Sequence, residues 1–250
     1  MGEIEPLRWS QYSKIVVLTG AGISVASGLR PYRGPGGIWD ECDVREVADR
    51  AALDREPDKV WRFFTQARSE VLAAHPNSAH RALAELERRV APGASMTLLT
   101  QNIDGLHQAA GSQSVVELHG SLANTRCMAS GCGFQERHPY TRDGTDPLSS
   151  LDCPRCPRCS SAMRFGVVLF GEPLSVDVEW AAKKALRNCD LFVAIGTSGT
   201  VSPASNYVRS AEYEGAHTVY VNLEPMTPHN PSFRQQVLGP ADAVVPKLVG

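Results

Sequence analysis

"KIVVLTGAGISVASGLRPYRGPGGIWD", residues Lys14–Asp40, opens as a buried strand and breaks on Gly20 and Gly22. After Lys14 the run to Thr19 is continuously apolar, the pattern of a parallel strand covered on both faces. Two glycines let the backbone turn sharply and approach a pyrophosphate, and a helix starting near Ile23 would aim its N–H groups at that charge. The dehydrogenase fingerprint G-x-G-x-x-G wants a third glycine where Val25 stands; the next glycine is Gly28. No strand ending in an acidic residue follows where a ribose hydroxyl would need one. A polar, Gly/Pro-rich loop follows instead, unsuited to an ordinary crossover helix. The stretch therefore suggests a dinucleotide site without the marks of hydride transfer.

Working outward, "MTLLTQ" (96–101), "LFVAIG" (191–196) and "HTVYVN" (217–222) repeat the buried-strand pattern, and "VVEL" (115–118) is a shorter candidate. Helical stretches Pro57–Leu72, Ser78–Arg89 and Val178–Arg187 lie between them. Alternation of this kind predicts an α/β fold, a doubly wound parallel Rossmann-like sheet. Residues 123–165 break the pattern with a cysteine cluster and a polar loop of almost no apolar periodicity. A stretch that long without a core needs a cross-link, which predicts a small inserted zinc-binding module between sheet segments 10–122 and 166–250, all within one catalytic unit.

Composition excludes several classes. The chain has 250 residues, 42% hydrophobic and 21% charged, with a formal net charge of −2, so nothing global draws it to nucleic acid or to a membrane surface. No apolar run approaches the ~20 residues that span a bilayer. The start "MGEIEPLRWSQYSK" lacks a secretory apolar stretch, and Pro6 breaks the myristoylation pattern after Gly2. A cytoplasmic location is expected.

Polar segments follow four of the strands. In "TQNIDGLH", Gln101, Asn102 and Asp104 offer groups suited to a ribose or a carboxamide, although Asp104 alone fits a helix cap equally well. In "ELHGSL", His119 at a strand end suits a general base, or a buried hydrogen-bonded histidine. Gly196, Thr197 and Ser198 of "GTSGTVSPA" could cradle a phosphate or ribose, and Asn222 and Glu224 of "VNLEP" could hold an adenosine. Polar groups after four separate strands are what one extended nucleotide site requires.

Of seven cysteines, five fall between Cys127 and Cys159. Cys127/Cys132 and Cys156/Cys159 form two short-spaced pairs that match a closed, structural, tetrahedral four-cysteine zinc site. Cys153-x-x-Cys156 is an equally good second pair; Cys156/Cys159 is preferred because Cys159 leads directly into "MRFGVVLFGE". Cys42 and Cys189 are read as ordinary thiols.

Together "GAGIS", "SGLRPYRG", "TQNID", "LHG", two cysteine pairs, "VVLFGE", "GTS" and "NLEP" closely resemble the sirtuin family, NAD-dependent protein deacylases, over nearly the whole chain and in family order, most like bacterial members. The resemblance implies that NAD is consumed as a co-substrate: the acyl oxygen attacks the nicotinamide ribose, a ribose hydroxyl deprotonated by His119 then attacks the acyl carbon, and water completes release of lysine and 2′-O-acyl-ADP-ribose. It places an NAD loop over Gly20–Trp39, including Ala21, Gly22, Ser24, Tyr32, Arg33 and Trp39. It places the nicotinamide and ribose pocket at Gln101, Asn102, Ile103 and Asp104, with Asn102 and Asp104 orienting the carboxamide. It assigns the phosphate and adenosine side to Gly196, Thr197, Ser198, Asn222, Leu223 and Glu224, with Ala241 closing over the adenine. Val168, Leu169, Phe170, Gly171 and Glu172 of "VVLFGE" would pair with an acyl-lysine peptide as an added strand. One structural zinc and acylated-lysine protein substrates follow from the same resemblance.

The sequence departs from the family at the acyl pocket. Sirtuins that remove succinyl and malonyl groups carry a Tyr-x-x-Arg pair on a helix, and an alignment anchored at Val60–Trp61 puts Phe64 and Ala67 there. An acyl carboxylate would then lack its cation, which predicts a deacetylase with longer apolar acyl chains second and weak desuccinylation. Arg68, about 100° further round the helix, could replace the missing cation only through a register shift. Tyr32 stands where sirtuins usually have Phe. ADP-ribosyl transfer and plain NAD hydrolysis are the competing activities.

Overall fold

The computed structural model describes residues 4–32, 36–141 and 145–250. Its strands are β1 Lys14–Thr19, β2 Ser95–Thr100, β3 Val115–Glu117, β4 Gly120–Cys127, β5 Gln135–Arg137, β6 Met163–Val167, β7 Leu191–Ile195, β8 His217–Asn222 and β9 Gln235–Leu238. Six of them form one sheet in the order β3-β2-β1-β7-β8-β9, every neighbouring pair parallel. This is the doubly wound sheet expected. From β1 the chain builds outward through β2 and β3 on one side, and β7 starts the other side. The order therefore reverses between β1 and β7, at whose carboxyl ends such sheets bind ligands.

Period-two alternation explains the layers. Ile15 and Val17 of β1 face one side, packing with Leu98, Val193 and Val219 against Leu83 and Leu86 of helix Ser78–Arg89 and Val244, Val245 and Leu248 of helix Ala241–Val249. Val16 and Leu18 face the other, with Leu99, Phe192 and Ala194 against Ala182, Ala185 and Leu186 of helix Val176–Leu186. Both faces are covered, which is why the strands carry continuous apolar runs. The edge strand β9 alternates half-buried and exposed residues, and so carries no comparable run.

The second sheet is antiparallel, β5-β4-β6. Its core is a third cluster in which Leu122, Phe165, Val167 and Leu169 pack against Leu53, Val60, Trp61, Phe64 and Val71, mostly from helix Pro57–Ala73. Trp61 stacks on Phe165 with centroids 4.4 Å apart. The cysteine segment thus shares its core with a helix some seventy residues earlier in the chain.

Candidate active site

The first loop is built by backbone contact. The Gly20 N–H donates to the Ile195 carbonyl (3.0 Å) and the Gly22 N–H to the Gly196 carbonyl (2.9 Å), welding the loops after β1 and β7 together. A side chain on Gly22 would stand 2.7 Å from the Gly196 Cα, and one on Gly196, itself at φ 61°, would stand 2.5 Å from the Ile23 nitrogen. These glycines are required because two loops touch backbone to backbone. Asn77 holds the far end: its amide donates to the Ile23 carbonyl and the Ser27 hydroxyl while its oxygen caps helix Ser78–Arg89. Asn77 belongs to none of the nucleotide-site motifs, and its one signal in the sequence is that of an Asn cap one residue before a helix.

After β2, Asn102 lines the cavity with its amide fixed by the Gly20 carbonyl (3.1 Å) and the Ser24 hydroxyl (3.2 Å). Ser24 in turn donates to Asp104 at 2.7 Å, and Asp104 also accepts from the Leu106 N–H, the cap-like bond considered for it. Burial raises the Asp104 carboxyl pKa, and those hydrogen bonds oppose the rise. Ser24 and Asp104 stand behind the cavity wall and set the orientation of Asn102.

His119 also lines the cavity. Its Nδ1 lies 3.0 Å from the Gln101 carbonyl. A carbonyl only accepts, so Nδ1 carries the proton and Nε2 keeps its lone pair. Burial lowers the His119 pKa below 6.5, partly offset by that bond, so the ring is neutral at pH 7 and able to take a proton.

The cavity, about 1000 Å³, runs along the carboxyl edge of the sheet. It brings together Gly20, Ala21, Gly22, Tyr32, Trp39, Gln101, Asn102, Ile103, Gly196, Thr197, Ser198, Asn222, Leu223, Glu224 and Ala241 from the predicted NAD side. Arg33 lies outside the described residues. Asn222 spends its side chain on structure, donating to the Thr197 carbonyl and the Tyr220 hydroxyl and accepting from the Leu223 N–H. Gln101 likewise donates to the Thr197 hydroxyl at 2.8 Å. The wall also includes Val201, Ser202 and Pro203, further along the "GTSGTVSPA" loop, and Asp242 in the first turn of helix Ala241–Val249.

The sulfurs of Cys127, Cys132, Cys156 and Cys159 all lie within 4.8 Å of one another, with Cys127–Cys159 at 3.5 Å and Cys132–Cys156 at 3.7 Å. Four thiolates at 2.3 Å around a tetrahedral zinc stand about 3.8 Å apart, so this set fits one zinc ion. Cys153 is outside the cluster, its thiol directed to the Met163 carbonyl at 2.9 Å.

The Sir2 family model matches residues 20–203. The NAD-dependent protein deacylase of Vibrio cholerae is 39% identical over 241 residues, 95% of this chain and 92% of its own. The chain belongs to the Sir2 family. Among solved structures, a Sir2 homologue mutant in complex with ADP-ribose superposes with a TM-score of 0.86 at 34% identity, covering 96% of this chain and 92% of the other. A structure described as Sir2–p53 peptide–NAD+ superposes at 0.79 with 31% identity, covering 94% and 91%.

In this Sir2-family chain the cavity continues from His119 to Val168, Leu169, Phe170, Gly171 and Glu172. The Val168 N–H donates to the His119 carbonyl, Phe170 to Ala48, and Glu172 back to Leu169, closing a turn with Gly171 at φ 80°. Leu169 donates to the Glu172 carboxylate. Among these five N–H groups only that of Gly171 has no partner within the described residues, so an added strand would find its donor there. Phe64 lines the cavity; Ala67 packs at the edge of the third cluster, off the wall. Arg68 is fully buried: Nε meets both Asp146 oxygens at 3.0 Å, and the other nitrogens donate to the Leu122 and Pro139 carbonyls. Its guanidinium is committed to holding the small sheet's loops on the helix.

Proposed function

We propose that this Sir2-family chain is an NAD-dependent protein lysine deacylase that favours acetyl and other uncharged acyl groups. The observation that carries it is one continuous cavity joining the welded glycine loops to the 168–172 segment, with the free Nε2 of His119 at the junction. Bound NAD supplies the ribose carbon that the acyl oxygen attacks as nicotinamide leaves. For that chemistry Asn102, locked through Ser24 and Asp104, would orient the carboxamide, and His119 Nε2 would take the ribose hydroxyl proton while Nδ1 stays anchored on Gln101. Tyr32 and Trp39, stacked at 5.3 Å, would cover the nicotinamide side. One zinc on the four cysteines would hold the small sheet, without a catalytic part.

Selectivity follows from the acyl wall. Phe64 offers no positive charge and Arg68 is spent on Asp146, so a succinyl or malonyl carboxylate would be desolvated without a partner. A four-cysteine set arranged for a metal ion and not for disulfides supports a cytoplasmic location. No helix among the described residues is long and apolar enough to cross a membrane.

The test is an acyl panel: one lysine peptide bearing acetyl, butyryl, myristoyl, malonyl or succinyl, incubated with NAD and followed by mass spectrometry. Acetyl or a longer apolar chain should turn over, and His119→Ala should lower kcat/KM by about 10²–10⁴-fold. Preferential desuccinylation would overturn the acyl assignment. NAD cleavage with every peptide intact would favour the hydrolase reading. Because burial lowers the His119 pKa from its ordinary 6.5, the acid limb of kcat/KM should be centred below pH 6.5; an acid limb centred at or above pH 7 would remove His119 from this role.

A further inference from the structure

One charge beside the substrate segment is left over. Arg126 on β4 and Arg164 on β6 stand directly opposite each other in the antiparallel register, an arrangement in which like charges repel. Between them and the cavity sits Glu172, whose carboxylate is already well satisfied. Arg164 donates to it twice, at 2.5 and 3.0 Å, and the Leu169 N–H once, at 3.0 Å. Arg126 reaches the same oxygen as Leu169, at 3.4 Å, and among the described residues its guanidinium has no second partner. Arg50 stands on the other side, its backbone tied to the Phe170 carbonyl and its guanidinium paired with both Asp54 oxygens at 2.7 and 3.0 Å and reaching Glu172 Oε1 at 3.5 Å.

Three arginines thus share two carboxylates, Glu172 and Asp54, leaving one positive charge in excess, and Arg126, with a single 3.4 Å contact, is the least paired of the three. Its side chain is 42% exposed, whereas that of Arg164 is 5% exposed. Burial first, then the neighbouring Arg164 and Arg50, lower the Arg126 pKa, and Glu172 opposes the fall. It lies one hydrogen bond from the Leu169–Glu172 turn, on the far side of Glu172 from the cavity that the deacylase reading gives to the peptide. A fold that needed only Glu172 held would manage with Arg164; a second arginine opposite it costs stability unless another anion arrives.

We propose that Arg126 receives the carboxylate of an aspartate or glutamate carried by the substrate polypeptide within a few residues of its acylated lysine. This rests on the deacylase reading and names a class of substrate within it: acyl-lysines in an acidic sequence context. An acyl-group carboxylate has the same chemistry, so the test separates the two sources.

The experiment measures kcat/KM at low ionic strength on acetyl-lysine peptides with Asp, Asn or Lys at each of the three positions either side of the acetyl-lysine. A succinyl-lysine peptide with neutral flanks is run alongside. Wild-type protein, Arg126→Gln and Arg126→Lys are compared by the Asp/Asn ratio within each protein, so a general loss of activity cancels. At one or two positions wild type should favour Asp over Asn by about three- to fivefold, the scale of a half-exposed ion pair. Arg126→Gln should bring that ratio to one, Arg126→Lys should keep most of it, and added salt should erode it. An equal ratio in wild type and Arg126→Gln, or no preference at any position, overturns the inference while the deacylase reading stands. A succinyl rate that falls with Arg126→Gln while the Asp/Asn ratio stays put assigns the cation to the acyl group and also overturns it. No turnover of any peptide would overturn the deacylase reading, and the inference with it.

Discussion

The parallel sheet and the small antiparallel sheet are held together by different physics. The parallel sheet buries two apolar faces against helices, and β1 and β7 are covered along almost their whole length. The small sheet has a single apolar cluster, and its outer parts are tied by polar links: four sulfurs at one point, Arg68 on Asp146, and Arg164 on Glu172. The first arrangement spreads its stability over many apolar contacts. The second concentrates its stability in a few contacts, each costly to lose. The cavity lies where the two meet, lined by the loops after β1, β2, β7 and β8 on one side and by Phe64 and residues 168–172 on the other.

That contrast can be broken most directly at the cysteines. Structural zinc in small sites carries about 10–16 kcal/mol of apparent binding free energy, which becomes folding free energy of the part it holds. Cys132→Ser, or chelation, should expose the β4 and β6 amides to hydrogen exchange while β1 and β7 keep their protection. Uniform exchange across both sheets would show that the two halves unfold as one.

Arg68 should come next. Removing it strands the Asp146 carboxylate beside a buried surface, so Arg68→Ala should cost about 3–5 kcal/mol in a denaturant titration. Arg68→Met with Asp146→Leu, which removes both charges, should recover most of the loss. A large fall in acetyl-peptide turnover by Arg68→Ala at unchanged stability would instead place Arg68 at the substrate.

The parallel sheet has its own weak point, in acid. His80 is fully buried against His107, with ring centroids 4.8 Å apart, and its Nε2 has no hydrogen-bond partner among the described residues. Burial lowers its pKa from 6.5 to about 4, and that of His107 well below 6.5. Between those values the unfolded chain binds a proton that the folded chain refuses. Stability is therefore unaffected above pH 6.5 and should fall as pH drops toward 4, by about 3 kcal/mol from His80 alone. Urea midpoints at pH 7 and pH 5 should differ less in His80→Gln than in wild type; an equal difference would assign the acid sensitivity elsewhere.

The parts legible in the sequence were those decided by local pattern. Continuous apolar runs placed β1 and β8 at their observed bounds, and "SAHRALAELERR" its helix, because burial on both faces, or on one helical stripe, leaves a period in the residues themselves. The four-cysteine set was readable from spacing, although only folding excluded Cys153, by turning its thiol onto the Met163 carbonyl. Strands β5 and β9 left little trace, since exposed and half-exposed edge strands carry no continuous apolar run.

Tertiary structure alone decided the rest. Gly20 and Gly22 were readable as a sharp turn, but that they serve to let the loop touch Gly196 depends on a segment some 175 residues away. Asp104 could be read equally as cap or ligand; folding puts it behind Ser24, where it acts on Asn102. Arg68 could be read as a neighbour of the acyl pocket, and the fold buries it on Asp146, whose approach no local pattern encodes. Sequence fixes what each segment prefers to bury. Which polar groups then meet across the cavity follows from long-range packing, because hydrogen bonds and ion pairs depend on distances of a fraction of an ångström that no periodicity records.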